Sequence, residues 1–210
     1  MRYSQSEERA MTDRIDTILD FWFGDLDEHG CAGPNQRKLW WRKSDEFDRT
    51  IRDQFLADYE AIVAGERDAW RSTPRGALAT IIVLDQFSRN MFRDTPEMYA
   101  ADPLAREVCH EGLDEGFDED LAFDERVFFY MPLQHSESVS DHERCRALFA
   151  GLRDQAPENL SADAENYLEY ARQHRVIVER FGRYPHRNEL LGRASTDAEL
   201  AFLKQPNSSF

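Results

Sequence analysis

The sequence has few cysteines, almost no lysine and no long apolar run. The cysteines are Cys31, Cys109 and Cys145. Because they are odd in number and widely spaced, they fit neither a disulfide framework nor a zinc motif, and reduced thiols are expected. The longest apolar run, residues 77–84, is interrupted by Thr80 and falls far short of the ~20 residues that a membrane-spanning helix needs. Residues 1–11 are polar, which predicts no signal peptide and, with reduced thiols, a cytoplasmic protein.

The charge balance is strongly acidic. The formal net charge is −15, and only 3 of the 26 basic residues are lysines, so the other 23 are arginines. A chain without a basic face does not bind duplex nucleic acid or an anionic membrane by default, so neither is a predicted partner. One local basic pocket is still compatible with this charge, and arginine forms planar bidentate pairs that lysine cannot.

Helical periodicity runs through nearly the whole sequence. Ile15, Ile18, Leu19 and Trp22, for example, recur at intervals of three and four residues. There is no alternating polar and apolar run of useful length and no hairpin signal. We therefore predict an all-α fold, an antiparallel array of about eight to ten helices with short loops. No segment resembles an interdomain linker, so residues 12–210 are expected to form a single all-helical domain after a flexible N-terminal tail, residues 1–11.

Proline and threonine set the expected boundaries of the central helices. Thr73 and Pro74 are a helix cap followed by proline at the first helical position. The helix that follows is apolar on several sides, which predicts the most buried helix of the fold. Its four consecutive apolar residues Ile81–Leu84 also fit a buried strand, but the cap and the length favour helix. Pro132 is predicted to end a short aromatic helix that begins near Asp124.

Arginines lie beside aromatic residues in two stretches, of which residues 84–93 are the first. Asp85, Arg89 and Arg93 are spaced four apart, so they share one helix face. Gln86 and Asn90 form a second polar row beside them. Such rows on an apolar helix belong either to salt bridges at the edge of the core or to the wall of a pocket.

The second stretch covers residues 180–193. Gly182 permits a left-handed turn at the end of a helix, and Pro185 is predicted to start the next helix. The amides near His186 and Arg187 would then lie at a helix N-terminus, which favours anions. The arginines in this stretch are Arg180, Arg183, Arg187 and Arg193. They either hold a phosphate or carboxylate, or bond helix-end carbonyls and acidic neighbours without any ligand.

A third candidate is the segment 130–137. His135 and Glu137 could form an acid–base pair, because imidazole titrates near neutrality. With Asp141 and His142 they could also suggest a metal site, but the spacing is not a zinc pattern, and no metal is predicted. A satisfied polar network at a helix break explains the same residues. The sequence has no G-x-S-x-G, G-x-G-x-x-G or P-loop motif, so no cofactor is predicted either.

Several segments, in order, resemble the motifs of one bacterial family, known as domain of unknown function 924. They are ILDFWFG at 18–24, WW at 40–41, LDQFSRN at 84–90, YMPLQHSE at 130–137 and RFGRYPHRN at 180–188. The resemblance extends over residues 14–205. Ser88, Gln134 and Tyr184 depart from it, standing where the family pattern has proline, glutamate and phenylalanine. The resemblance implies a helical fold of the TPR-like superfamily, a right-handed superhelix, and it implies no established activity and no catalytic residues.

These observations predict a concave pocket for a small anionic ligand or an acidic peptide terminus. The residues expected to hold, orient and line it are Arg89, Arg93, Arg183 and Arg187, then Asn90 and Asn188, then His135 and His186. One alternative is a hydrolase or transferase that acts on an anionic metabolite with His135 and Glu137 as its acid–base pair. Another is a TPR-like scaffold that binds a protein partner. The last is a set of purely structural arginine contacts.

Overall fold

The computed structural model describes residues 5–206 and residue 208. Its α-helices are α1 (Gln5–Phe23), α2 (Pro34–Trp41), α3 (Asp45–Val63), α4 (Pro74–Ile81), α5 (Ser88–Met91), α6 (Asp102–Asp114), α7 (Phe123–Gln134), α8 (Val139–Gln155), α9 (Ser161–Phe181) and α10 (Asp197–Phe202). A π-helix, Ile82–Phe87, joins α4 to α5. Short 3-10 helices cover Asp68–Ser72, Pro96–Tyr99, Phe117–Asp120, Glu158–Leu160 and Pro185–Arg187.

The described residues form an all-α structure. They contain no β-strand, only an isolated bridge between Leu26 and Ala32. Because the π-helix makes α4 and α5 one continuous segment, the helices of the described chain number nine, which confirms the predicted range. The right-handed superhelix of the TPR-like type stays a prediction. No helix within residues 5–206 is long and apolar enough to cross a membrane.

The described residues divide into two compact units. Unit 1 comprises residues 5–93 and 97–132, and unit 2 comprises 94–96, 133–206 and 208. The prediction of a single domain over 12–210 stays a prediction. Helix α1 begins at Gln5, so most of the segment 1–11 that was expected to be a flexible tail is helical, and residues 1–4 of that segment lie outside the described residues.

The core of unit 1 is built around α4, as the sequence predicts. Thr73 caps this helix by accepting a hydrogen bond from the amide of Gly76 at 3.2 Å, and every residue from Gly76 to Phe87 is buried. The run Ile81–Leu84 is therefore helical and not a strand. Helix α4 packs against α1 and α6, while α3 packs against α5. Aromatic rings pack against each other in this core, and the ring centroids of Phe55 and Phe87 lie 4.6 Å apart.

Helix α7 does not end at Pro132. It continues through this proline to Gln134, so the predicted end at Met131 is wrong. A proline this close to the end of a helix removes only one backbone hydrogen bond, the one that its missing N–H would donate to Phe128 four residues earlier. The carbonyl of Gln134 accepts a hydrogen bond from the hydroxyl of Tyr184 at 2.5 Å, which satisfies an acceptor at the helix end.

Unit 2 is a pair of long helices followed by a compact turn region. Helix α8 packs against α9. Gly182 adopts a left-handed conformation, φ +68°, and ends α9 as predicted. The chain then turns back and buries Tyr184 against Ile177 and Val178. A capping box at Thr196 starts α10, which confirms the prediction for this helix.

Candidate functional site

The predicted site residues fall in two different compact units. Those in unit 1 are Arg89, Asn90 and Arg93, and those in unit 2 are His135, Glu137, Arg183, His186, Arg187 and Asn188. Each group is described within its own unit, beginning with the arginines and the partners that balance their charge.

Arg89 in unit 1 is held by two carboxylates. Its guanidinium lies 3.1 Å from an oxygen of Asp85, which is fully buried, and 3.0 Å from Asp102. It also donates to the backbone carbonyl of Asp85, and its carbon lies 5.8 Å from the ring centroid of Tyr99. Burial lowers the pKa of Arg89, but the two carboxylates raise it more, so the group stays charged. These contacts form a salt bridge at the edge of the core.

Arg93 and Asn90 share a single acidic partner. Arg93 donates to both oxygens of Asp48, at 2.5 and 2.8 Å, and Asn90 donates to one of them at 2.7 Å. Burial raises the pKa of Asp48, but these hydrogen bonds outweigh it and hold the pKa below its usual value. The charge of Arg93 is thus already balanced by the protein, as the structural interpretation of this stretch requires.

Arg183 in unit 2 is balanced in the same way. It donates to both oxygens of Glu199, at 2.7 and 2.9 Å, and to the carbonyl of Ala194 at 2.9 Å. Hydrogen bonds from Arg183 and from the amide of Thr196 lower the pKa of Glu199 to about 2. Arg183, just after the end of α9, therefore binds Glu199 of the capping box that starts α10.

Glu137 is engaged by a long-range arginine. Arg193 donates to its two oxygens at 2.7 and 2.9 Å, and the amide of Tyr184 donates to one of them at 2.8 Å. Burial raises the pKa of Glu137, but these bonds outweigh it and keep the pKa below its usual value. Arg193 also donates to the side-chain oxygen of Asn188. A carboxylate held in this way is a weak proton acceptor, which disfavours Glu137 as a general base.

The turn at Pro185 differs from the predicted helix N-terminus. Pro185–Arg187 is only a three-residue 3-10 helix and not the longer helix that the sequence predicts, and the anion site at its start stays a prediction. The amide of Arg187 donates to the carbonyl of Tyr184, and the amide of Asn188 donates to that of Pro185, each at 3.1 Å. Amides that already make these turn hydrogen bonds are not available to a ligand.

Three of the six histidines lie around one buried tyrosine in unit 2, and a fourth lies beside one of these three. Tyr184 is fully buried, and three imidazole rings lie 5.5 to 6.1 Å from its ring between centroids. These rings belong to His142, His174 and His186. The ring of His135 lies 6.5 Å from that of His174. We call His135, His142, His174 and His186, with Tyr184 at their centre, the histidine cluster.

Two members of the histidine cluster are fixed by backbone carbonyls. Nδ1 of His174 lies 2.7 Å from the carbonyl oxygen of Tyr170, and Nε2 of His142 lies 2.8 Å from that of Ser136. Since a carbonyl oxygen only accepts, each of these ring nitrogens carries the proton. Burial lowers the pKa of His142, and burial together with the neighbouring imidazoles lowers the pKa of His174 to about 3. Both imidazoles are therefore neutral at physiological pH.

His186 lies at the partly exposed side of the histidine cluster. Its Nδ1 atom is buried and has no hydrogen-bond partner within the described part of the chain. Burial and the adjacent charge of Arg187 lower the pKa of His186 to about 4. The guanidinium carbon of Arg187 lies 4.5 Å from the ring centroid of Tyr184, and His135 is also only half-buried. The predicted residues His135, His186 and Arg187 thus meet in one place.

The cluster does not have the arrangement of a metal centre. Among residues 5–206 and 208, no three histidine, cysteine, aspartate or glutamate side chains are grouped so that they could hold a metal ion. Instead, the rings of His142 and His174 lie in edge-to-face arrangements with the ring of Tyr184, and Nε2 of His142 lies 3.2 Å from the hydroxyl oxygen of Tyr184. The described geometry is that of a polar network around an aromatic ring.

The sequence did not indicate two central residues of this arrangement. Tyr184 was seen only as a departure from the family pattern, and Arg193 only as one arginine of a stretch. No local signal joins Arg193 to Glu137, because 56 residues separate them. The positions of the histidines in the sequence did indicate that a cluster was possible, because four of the six lie beyond residue 134.

Comparisons with known proteins extend over almost the whole chain. A family model described as "Bacterial protein of unknown function (DUF924)" matches residues 18–207. A solved structure of a protein of unknown function from Agrobacterium tumefaciens is 37 % identical in sequence, with a TM-score of 0.78. The match covers 92 % of this chain and 98 % of that one. No curated protein matches the chain.

Proposed function

The chain belongs to the DUF924 family of bacterial proteins of unknown function, and we propose that its histidine cluster binds a small anion, a phosphate- or carboxylate-bearing molecule. The observation that carries this proposal is the buried Nδ1 atom of His186, which has no hydrogen-bond partner within the described residues. A buried polar atom without a partner costs free energy, so a ligand atom that pairs with it is favoured.

The charges around His186 favour an anion over a neutral or cationic ligand. Arg187 adjoins it, and the positive charge of Arg187 lowers its pKa. Arg187 also interacts electrostatically with the carboxylate of Glu137, which Arg193 binds. A bound anion near His186 would stabilise the protonated form of this histidine.

In this proposal His186 and Arg187 hold the anion, and His135 lines the site. His142 and His174 keep the ring of Tyr184 in position through their bonds to backbone carbonyls. The site leaves out the remaining predicted ligand residues, because carboxylates or amide hydrogen bonds already engage them. They are Arg89, Asn90, Arg93, Arg183 and Asn188.

The other two functions expected from the sequence have less support. An acid–base pair of His135 and Glu137 would need a carboxylate able to accept a proton, whereas Glu137 is bonded to Arg193 and to the amide of Tyr184. A TPR-like scaffold for a protein partner stays a prediction. The scaffold alternative predicts that a small inorganic anion has no specific effect on His186.

Sulfate is a suitable first probe, because its charge does not change between pH 5.5 and 7.5. We expect calorimetric titration of the full chain to show saturable binding at constant ionic strength. Since the anion favours protonated His186, affinity should rise by roughly tenfold from pH 7.5 to pH 5.5 if the bound imidazole titrates near its ordinary pKa.

Two histidine variants separate the site from general effects of charge. His186→Ala should abolish the saturable binding and its pH dependence. His29→Ala, which changes an exposed histidine of unit 1, should leave both unchanged. Equal sulfate binding by the wild type and His186→Ala, or no binding by the wild type at pH 5.5, would show that the proposal is wrong.

A further inference from the structure

A cavity of about 310 Å³ opens in unit 1, between the start of α1 and the turn after α3. Its wall includes Glu7, Ala10 and Met11 from α1, Glu66 and Arg67 from the turn, and Trp70 from the 3-10 helix that follows. This volume lies at the lower end of the range for small-molecule sites, roughly 300–1,000 Å³. The cavity shares no residue with the histidine cluster, so what it binds is a separate question.

The ionised groups at this cavity differ in how far the protein engages them. Arg14 lines it too, but this arginine is bound to Asp58 through several hydrogen bonds and to the carbonyl of Gln54 at 2.8 Å. Arg67 has no carboxylate partner within the described residues, and its guanidinium carbon lies 5.7 Å from the ring centroid of Trp70. The neighbouring carboxylate of Glu66 likewise has no cationic partner there.

Arg67 and Glu66, an exposed cation and an exposed anion that are adjacent in the chain, therefore both line a cavity whose wall is partly charged and partly apolar. The guanidinium group of Arg67 makes a cation–π contact with the ring of Trp70. The apolar part of the wall is supplied by Ala10, Met11 and Trp70, of which Trp70 is buried. Such a site offers one contact to a carboxylate, one to an ammonium group and apolar surface to the body between them.

We propose that this cavity binds a small zwitterion of the α-amino acid class with an apolar side chain. Arg67 would pair with the ligand carboxylate and Glu66 with its ammonium group, while the side chain would lie against Met11 and Trp70. A ligand with only one of the two charges would leave either Arg67 or Glu66 without a partner. The proposal is thus specific about charge as well as size.

Three probes of one shape test this assignment on the full chain by ligand-observed NMR and calorimetry. They are leucine, 4-methylpentanoate, which lacks the ammonium group, and 3-methylbutylamine, which lacks the carboxylate. Leucine should bind best, and each truncated probe should bind roughly tenfold more weakly, because one charge-assisted contact is lost.

Variants assign each contact. Arg67→Ala should weaken leucine and 4-methylpentanoate but not the amine, and Glu66→Gln should weaken leucine and the amine but not 4-methylpentanoate. Ala10→Trp, at an exposed position of the wall, should fill the cavity and remove the binding of all three. Arg49→Ala is the matched control, since this exposed arginine of α3 does not line the cavity.

Two results would overturn the assignment. One is that none of the three probes binds the wild type, and the other is that Ala10→Trp binds leucine as well as the wild type does. Both results are independent of sulfate binding at His186, so the two proposals are tested separately.

Discussion

Mild acid should destabilise the protein through two histidines that the fold keeps neutral. Burial is the largest cause that lowers the pKa of His174 to about 3 and that of His186 to about 4, from an ordinary value of 6.5. The folded pKa of each lies below the unfolded pKa. The contribution that each neutral imidazole makes to the free energy of unfolding is therefore complete above pH 6.5. This contribution is lost progressively as the pH falls below 6.5. Proton linkage gives a loss of about 2 kcal/mol at pH 5 for each of these two histidines, and His142, whose pKa burial also lowers, adds to this loss.

This loss can be measured by urea unfolding between pH 8 and pH 5 in buffers free of sulfate and phosphate. The paired carboxylate of Glu137 has a lowered pKa, so its own contribution persists through this window and is lost only at lower pH. His174→Phe should reduce the change in the free energy of unfolding by about 2 kcal/mol, because the contribution of His174 is removed. His29→Ala should behave as the wild type. A free energy of unfolding that is the same at pH 5 and pH 8 would refute the reasoning.

Two further changes test assignments made from contacts alone. Glu137→Gln should lower the free energy of unfolding by about 2 kcal/mol, and a double-mutant cycle with Arg193→Gln should show coupling, because the pair is charge-assisted and half-buried. Full stability of Glu137→Gln would instead favour a role in chemistry. Gly76→Ala should cost about 2 kcal/mol or more in a urea titration, because its Cβ would lie 2.1 Å from the carbonyl oxygen of Trp70. Gly33→Ala is the control, since its Cβ would meet nothing within 4 Å, and equal stability of the two glycine variants would contradict this explanation.

The fold was predictable where local chemistry determines it. Thr73 caps α4, Gly182 ends α9 and Thr196 starts α10, because each acts through backbone groups within a few residues. Pro132 was misjudged because its effect depends on its distance from the helix end, which periodicity does not give. The start of α1 was missed for a related reason. Its first turn is polar and exposed, so it carries no apolar pattern to indicate a helix.

The candidate site was predictable in its residue types but not in its pairings. His135, His186 and Arg187 were chosen because imidazole and guanidinium groups suit anions, and they do meet in unit 2. The arginine partners could not be foreseen, because Asp48 lies 45 residues before Arg93 and sequence spacing carries no information about contacts at that range. An arginine next to an aromatic residue in the sequence therefore does not indicate by itself whether the guanidinium group binds a carboxylate of the protein or a ligand.

The most direct test of the histidine cluster is the pKa of His186 measured by NMR, with and without saturating sulfate. We expect the pKa to lie near 4 in the free protein and to rise when sulfate binds, because the anion stabilises the imidazolium. His29→Ala should show the same change in the pKa of His186 as the wild type. An unchanged pKa of His186 in the presence of sulfate would contradict the proposed anion site.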